Sequence, residues 1–160
     1  MTSQGRGTTG WSFPQELPGS GTGGLHAFGE ALRILVVDDD EGCRLGIASI
    51  LGEDGHDILT AARGEEAIEH ARFLRREKKR LDLSILDFNM PDLNGIETFR
   101  RLVVEFPGLV GVFVSGESSE ALVEQIRLAG GSALVRKPLD VGRVRWLVYR
   151  FLAGGEFFVA

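Results

Sequence analysis

Cysteine is almost missing from this chain. Cys43 stands alone among 160 residues, so no disulfide can close within the chain, and a reducing compartment is the simplest home for it. Long apolar runs are missing too. No stretch approaches the roughly 18 apolar residues of a membrane span, and the first five residues carry neither the basic nor the apolar region of an export signal. Positive charge is in deficit, with a formal net charge of -5 and a pI near 5.2. A nucleic-acid backbone as main ligand calls for clustered positive charge, so nucleic acid and membrane are both set aside as partners. These absences lead to the expectation of a soluble, cytoplasmic protein.

What is present is a hydrophobic fraction of 43%, enough for one proper core. Residues 1–30 are rich in Gly, Ser, Thr and Pro without an apolar period, and are expected to form a disordered tail in which Trp11 and Phe13 are incidental. Residues 31–153 are expected to be the folded domain and 154–160 a short C-terminal tail, with Phe157, Phe158 and Val159 capping the domain or docking elsewhere.

Composition changes at Leu32. Ile34 to Val37 is a continuous β-branched and apolar run that stops at Asp38-Asp39-Asp40-Glu41, which predicts a strand buried on both faces. A helix is predicted over 41–51, with Leu45, Ala48 and Leu51 facing inward, closed by the turn residues 52–55. Residues 56–61 suit a second strand. Gly64-Glu65-Glu66 opens a helix with acidic residues in its first turn, and the basic cluster Arg75-Arg76-Glu77-Lys78-Lys79-Arg80 ends it, both favourable to the helix dipole. The ordinary reading of that cluster is a solvated helix end; the functional one is a docking patch for an acidic partner.

A third strand is predicted over 83–86 ending at Asp87, and a helix over 94–106 with Ile96, Phe99, Val103 and Phe106 along one face. A fourth strand over 110–114 ends at Ser115-Gly116, with a helix over 119–129 after it. A fifth strand over 133–135 ends at Arg136-Lys137-Pro138, and a last helix over 141–153 turns Val144, Leu147, Val148 and Phe151 inward. Strands alternating with helices, each strand an uninterrupted apolar run, predict an α/β domain with a five-stranded, doubly wound parallel sheet. In such folds ligands bind outside the carboxyl ends of the strands.

Those ends carry Asp38 and Asp39 after the first strand, Asp87 after the third, Ser115 after the fourth and Lys137 after the fifth. Singly, each is an ordinary N-cap or turn residue. Together, converging carboxylates would repel unless a cation sat among them, and hard oxygen ligands suit Mg2+ or Mn2+. Asp39 and Asp87 are expected as direct ligands, with Asp38 direct or through water. A carboxylate so placed can attack the phosphorus of a phosphorylated donor, with Lys137 supplying positive charge and Ser115 a hydroxyl for the phosphoryl oxygens.

The motifs Ile34-Leu35-Val36-Val37-Asp38-Asp39-Asp40-Glu41, Leu86-Asp87-Phe88-Asn89-Met90-Pro91-Asp92-Leu93-Asn94-Gly95 and Lys137-Pro138 resemble those of receiver domains of two-component response regulators, over about residues 32–153. The resemblance implies a flavodoxin-like receiver fold. It also implies phosphorylation of Asp87 by the phosphohistidine of a sensor histidine kinase or phosphotransfer protein, and a metal ligand from the backbone carbonyl of Asn89. Ser115 and Lys137 would sense the phosphoryl group. One position departs from the family: three residues before the lysine, where receivers carry Tyr or Phe, stands Leu134, so transmission through an aromatic rotamer is put in doubt. Asn89 and Glu117 resemble positions that control water access to the acyl phosphate, with slow intrinsic hydrolysis expected.

With only a helix and a short tail after Lys137, the expected output is binding to a downstream protein, by a single-domain regulator of the chemotaxis type, monomeric or weakly dimeric. Arg145, Trp146 and Tyr149 on the last helix are candidates for partner contact, and for Trp146 packing into the helix's own seam is an equal alternative. Two other functions compete. One is a phosphorylation-independent scaffold, to which Leu134 lends weight. The other is a Mg2+-dependent phosphatase of the haloacid-dehalogenase kind, which needs an Asp two residues past the nucleophile where this chain has Asn89, and a cap domain; an enzyme is therefore not expected.

Overall fold

The computed structural model describes residues 31–152; the expected tails at 1–30 and 154–160, with Trp11, Phe13 and the Phe157 to Val159 segment, lie outside the described residues. Strand and helix alternate throughout: β1 (Arg33–Val37), α1 (Glu41–Glu53), β2 (Asp57–Ala61), α2 (Gly64–Arg76), β3 (Leu83–Asp87), α3 (Gly95–Glu105), β4 (Val110–Ser115), α4 (Glu120–Leu128), β5 (Ala133–Arg136) and α5 (Val141–Leu152). The strands form one parallel sheet in the order β2-β1-β3-β4-β5. No described helix is long and apolar enough to cross a membrane.

The continuous apolar runs follow from burial of both sheet faces. Ile34 and Val36 feed one core with Ile85, Val112 and Val135, covered by Leu51 of α1 and Leu147 and Val148 of α5. Leu35 and Val37 feed the other with Leu86, Phe113 and Leu134, covered by residues of α2, α3 and α4. Alternate residues of a strand point to opposite faces, so a strand with no polar face is the signature of a sheet covered on both sides.

Helix starts are defined by short polar side chains. Asp40 Oδ1 accepts from the Cys43 amide at 2.7 Å, Ser119 Oγ from the Leu122 amide at 3.1 Å, and Asn94 with Glu97 forms a reciprocal capping box. Two inward faces differ from expectation. In α1 the buried side chains are Ile47 and Leu51, with Cys43 and Ile50 packed beside them, whereas Leu45 is 51% exposed. The spacing of Cys43, Ile47, Ile50 and Leu51 is the better match to a helical stripe, and Leu45 lies off it. In α3 the expected face does pack against the core, with Val103 and Phe106 half-buried there, and the difference is the addition of Leu102, which is fully buried.

Gly111 in β4 lies under the Phe99 ring of α3. A Cβ there would stand 2.5 Å from Phe99 Cε2, and Phe99 packs edge-on against Phe113 with ring centroids 5.5 Å apart at 79°. Gly111→Ala is therefore expected to cost about 1–3 kcal/mol by overpacking, seen as a fall in the thermal midpoint of roughly 4 °C or more per kcal/mol. An unchanged midpoint would show that Phe99 has room to move.

Candidate functional site

The order β2-β1-β3-β4-β5 reverses direction at β1, so β1 and β3 are neighbours whose crossovers leave to opposite sides. Asp38 follows the last residue of β1 and Asp87 is the last residue of β3, and this topological switch point brings them together. Both are buried, at 2% and 6% exposure, while Asp39 is exposed. Carboxylate oxygens of Asp38, Asp39 and Asp87 all lie within 4.8 Å of one another. Lys137, just past β5, reaches over with its Nζ 3.0 Å from Asp38 Oδ2 and 3.5 Å from Asp87 Oδ2.

Local structure holds each group in place. Asp38 Oδ1 accepts from the Asp40 amide at 2.9 Å, and Asp87 Oδ1 from the Asn89 amide at 3.3 Å. The Lys137 amide donates to the Ser115 carbonyl at 2.8 Å, tying the loop after β5 to the end of β4. Gly95, the first residue of α3, lies against the acceptor strand: a Cβ there would come within 2.6 Å of the Asp87 carbonyl oxygen. Only glycine lets α3 begin that close to Asp87.

The charge is unbalanced. Burial, then the neighbouring negative charge of Asp38, push the Asp87 carboxyl up from 3.8 to about 7, against the pull of Lys137. Burial alone would lower Lys137, but its hydrogen bond to Asp38 and the charges of Asp38 and Asp87 outweigh this, so its pKa sits above the usual lysine value. Cys43, a half-buried thiol beside Asp38, is raised to about 12 by burial and by that carboxylate. Three carboxylates facing one ammonium form an oxygen-rich, electron-rich pocket whose donor set suits a hard divalent cation. The Mg2+ or Mn2+ expected from the sequence fits these residues.

Ser115 ends β4, fully buried, and its Oγ accepts from the Glu117 amide at 3.2 Å; among the described residues no hydrogen bond joins it to Asp87. Asn89 and Glu117 are exposed at the same rim. Leu134 is fully buried in β5, registered opposite Phe113. On α5, Trp146 and Tyr149 are half-buried, with Trp146 packed against the apolar core and the Arg150 guanidinium 5.7 Å from its ring centroid. Arg145, expected to contact a partner, is also engaged within the domain. Its Nε and Nη2 donate to both oxygens of Asp54, the C-cap of α1, at 2.8–3.2 Å, which spends the guanidinium on joining α5 to α1.

Two residues near the site went unnoticed in the sequence. Arg44 donates from Nη1 to the Asp38 carbonyl at 2.8 Å, and Cys43 lies beside Asp38 on the inner face of α1. The signal that could have found both is the helical register of α1, which places its first turn directly after Asp38.

Comparison with known proteins agrees with this fold. The profile of the response regulator receiver domain matches residues 34–148. Transcriptional activator protein ExaE of Pseudomonas putida is 37% identical over 126 residues, covering 78% of this chain and 56% of that protein. Sporulation initiation phosphotransferase F of Bacillus subtilis is 26% identical, covering 75% of this chain and 93% of that protein. Of solved structures, the CheX-CheY-BeF3-Mg2+ complex from Borrelia burgdorferi matches with a TM-score of 0.68 at 27% identity, over 79% of this chain and 92% of that one. The chain thus spans about half the length of a relative such as ExaE and nearly all of phosphotransferase F. Receiver domains are phosphoacceptors that bind Mg2+ at an acidic pocket and interact with histidine kinases and downstream targets. With its doubly wound fold, its acidic rim and a match over most of its length, this chain belongs to the response regulator receiver domain family.

Proposed function

We propose that residues 31–153 form a cytoplasmic receiver module, monomeric or weakly dimeric, in which Asp87 accepts a phosphoryl group from a phosphohistidine and the phosphorylated form binds a downstream protein. The observation that carries this reading is the convergence of Asp38, Asp39 and Asp87 within 4.8 Å, with Lys137 Nζ at 3.5 Å from Asp87. Asp38, Asp39 and Asp87, with the Asn89 carbonyl, would hold Mg2+ or Mn2+, which when bound offsets the carboxylate charge and that of the phosphoryl oxygens. An Asp87 oxygen forms the new O–P bond as the N–P bond breaks, and the bond's electron pair returns to the donor imidazole.

Lys137 then has a phosphoryl oxygen to pair with, beside its existing bond to Asp38. The Ser115 hydroxyl accepts from Glu117, so its own proton stays available to donate to a second phosphoryl oxygen. Neither Asn89 nor Glu117 is a buried general base, which supports slow hydrolysis of the acyl phosphate. Output is proposed through α4, β5 and α5, where Trp146 and Tyr149 are only half-buried, with Arg145 holding α5 in place. A second reading, a scaffold indifferent to phosphorylation, is favoured by Leu134, which offers no ring to rotate and is fully buried.

Incubation with Mg2+ and acetyl phosphate is expected to add one phosphoryl group by mass, lost in Asp87→Ala. A scaffold or a phosphatase would show no stable Asp87-dependent gain. Lys137→Ala is expected to slow this uptake roughly tenfold or more, by removing the ammonium that lies 3.5 Å from Asp87; uptake at the wild-type rate would remove Lys137 from the chemistry.

The raised Asp87 pKa has a consequence for stability without metal. The folded protein holds the Asp87 proton more tightly than the unfolded chain, so this contribution is fully present below about pH 4 and is lost as pH rises through about 7. In EDTA, Asp87→Asn is expected to raise the thermal midpoint at pH 8 by about 4 °C or more, with the gain vanishing near pH 4. A gain that is the same at both pH values would contradict the raised pKa.

A further inference from the structure

The chain is acidic, yet two short segments carry a local excess of positive charge. Residues 72–82 and 100–105 hold eight Lys or Arg against three acidic residues, leaving ten basic against twenty acidic over the rest. The C-terminal ends of α2 and α3 bring these cations side by side. Arg72 Nε lies 3.5 Å from Glu105 Oε1, and Arg75 Nη1 donates to the Glu105 carbonyl at 2.6 Å. Arg80 is engaged with Asp82 at 3.2 Å and with the Ala31 carbonyl at 2.6 Å. Glu105 and Asp82 are therefore already taken. Among the described residues Arg76, Lys78, Lys79, Arg100 and Arg101 are exposed and make no ion pair or side-chain hydrogen bond.

Helix-dipole stabilisation accounts for Arg75 and Arg76 in the last turn of α2. It does not account for Arg100 and Arg101, which lie in the middle of α3. Next in sequence to the paired Arg72 and Glu105 stand Phe73 and Val104, which are 48% and 74% exposed. Unpaired cations thus stand at and after the end of α2 and in the middle of α3, and the exposed Phe73 and Val104 lie in the last turns of the same helix pair. Those ends precede β3 and β4, at the opposite pole of the domain from Asp87 and Lys137.

We propose that this pole is a docking surface for an acidic protein segment in which Asp or Glu alternates with apolar residues. Packed helix axes lie about 10 Å apart, so one peptide segment covers the pair without meeting the acidic remainder of the domain. A nucleic-acid duplex or an anionic bilayer is wider and would bring its own negative charge against that remainder. Phe73 and Val104 provide apolar contacts that a phosphate backbone does not use. Occupancy of this pole leaves the rim around Asp87 open, so docking and phosphoryl uptake are compatible and independent.

The test measures fluorescence anisotropy of the full chain with a labelled peptide built on a Glu-Glu-Leu repeat. Binding is expected to weaken steeply with added salt, and roughly tenfold or more in Arg76→Glu/Lys79→Glu/Arg101→Glu, while circular dichroism stays that of the wild type. Should that variant fail to fold, Arg100→Gln/Arg101→Gln, which removes charge at exposed sites without reversing it, is expected to weaken binding severalfold. Equal binding by the folded variants, no binding by the wild type, or tighter binding of duplex DNA or phosphatidylserine vesicles than of the peptide would each overturn the proposal.

Discussion

Two buried carboxylates at the ends of adjacent parallel strands, with a third exposed beside them, set the terms for the rest of this molecule. Asp38 and Asp87 are held at the switch point by the sheet itself, and their repulsion is only partly relieved by Lys137, which lies closer to Asp38 than to Asp87. The unrelieved part is stored in Asp87, whose proton is held to near neutrality. A site in that condition favours whatever brings positive charge or disperses negative charge. That is a physical basis on which such a site can take a divalent cation or a phosphoryl group.

The surrounding structure keeps those groups in register. Asp40, third in the acidic run, is spent on capping α1 and so stays out of the pocket. Gly95 allows α3 to start against the Asp87 carbonyl, and the capping box of Asn94 and Glu97 defines where that helix begins. On the far side, the Lys137 amide is tied to the Ser115 carbonyl, so the loop that carries the ammonium and the strand that carries the hydroxyl are mechanically joined. A phosphoryl group touching both would pull on β4 and β5 together. With Leu134 in place of an aromatic, that pull has no ring to reorient; Leu134 stands in register with Phe113, in the same core cluster.

The molecule is also polar from end to end. Carboxylates dominate the carboxyl ends of the strands, and unpaired Lys and Arg gather at the end of α2 and from the middle of α3. The separation would let phosphoryl uptake at one pole and docking at the other, both as proposed, proceed without competing for surface. It also explains how a chain with an acidic balance can present a basic face.

Much of this was legible in the residue order. Uninterrupted apolar strands read as a sheet covered on both sides because each face contributes alternate residues, and the Asp, Ser and Lys that follow them fell where ligands bind in such folds. Helix starts at Asp40, Asn94 and Ser119 were readable because capping is a contact over three residues. The inward face of α1 was misread, since two apolar stripes compete in that helix and only packing selects one. The role of Arg145 was out of reach for a plainer reason: its partner Asp54 is 91 positions away. The same holds for the 99 positions between Lys137 and Asp38. Local periodicity and capping are written within a few residues, so the sequence by itself determined the elements and which side chains stand at their ends. Distances between those ends depend on how helices pack on a twisted sheet, and only the tertiary structure decided that Lys137 pairs first with Asp38, that Arg145 is spent on Asp54, and that the cations of α2 and α3 share one pole.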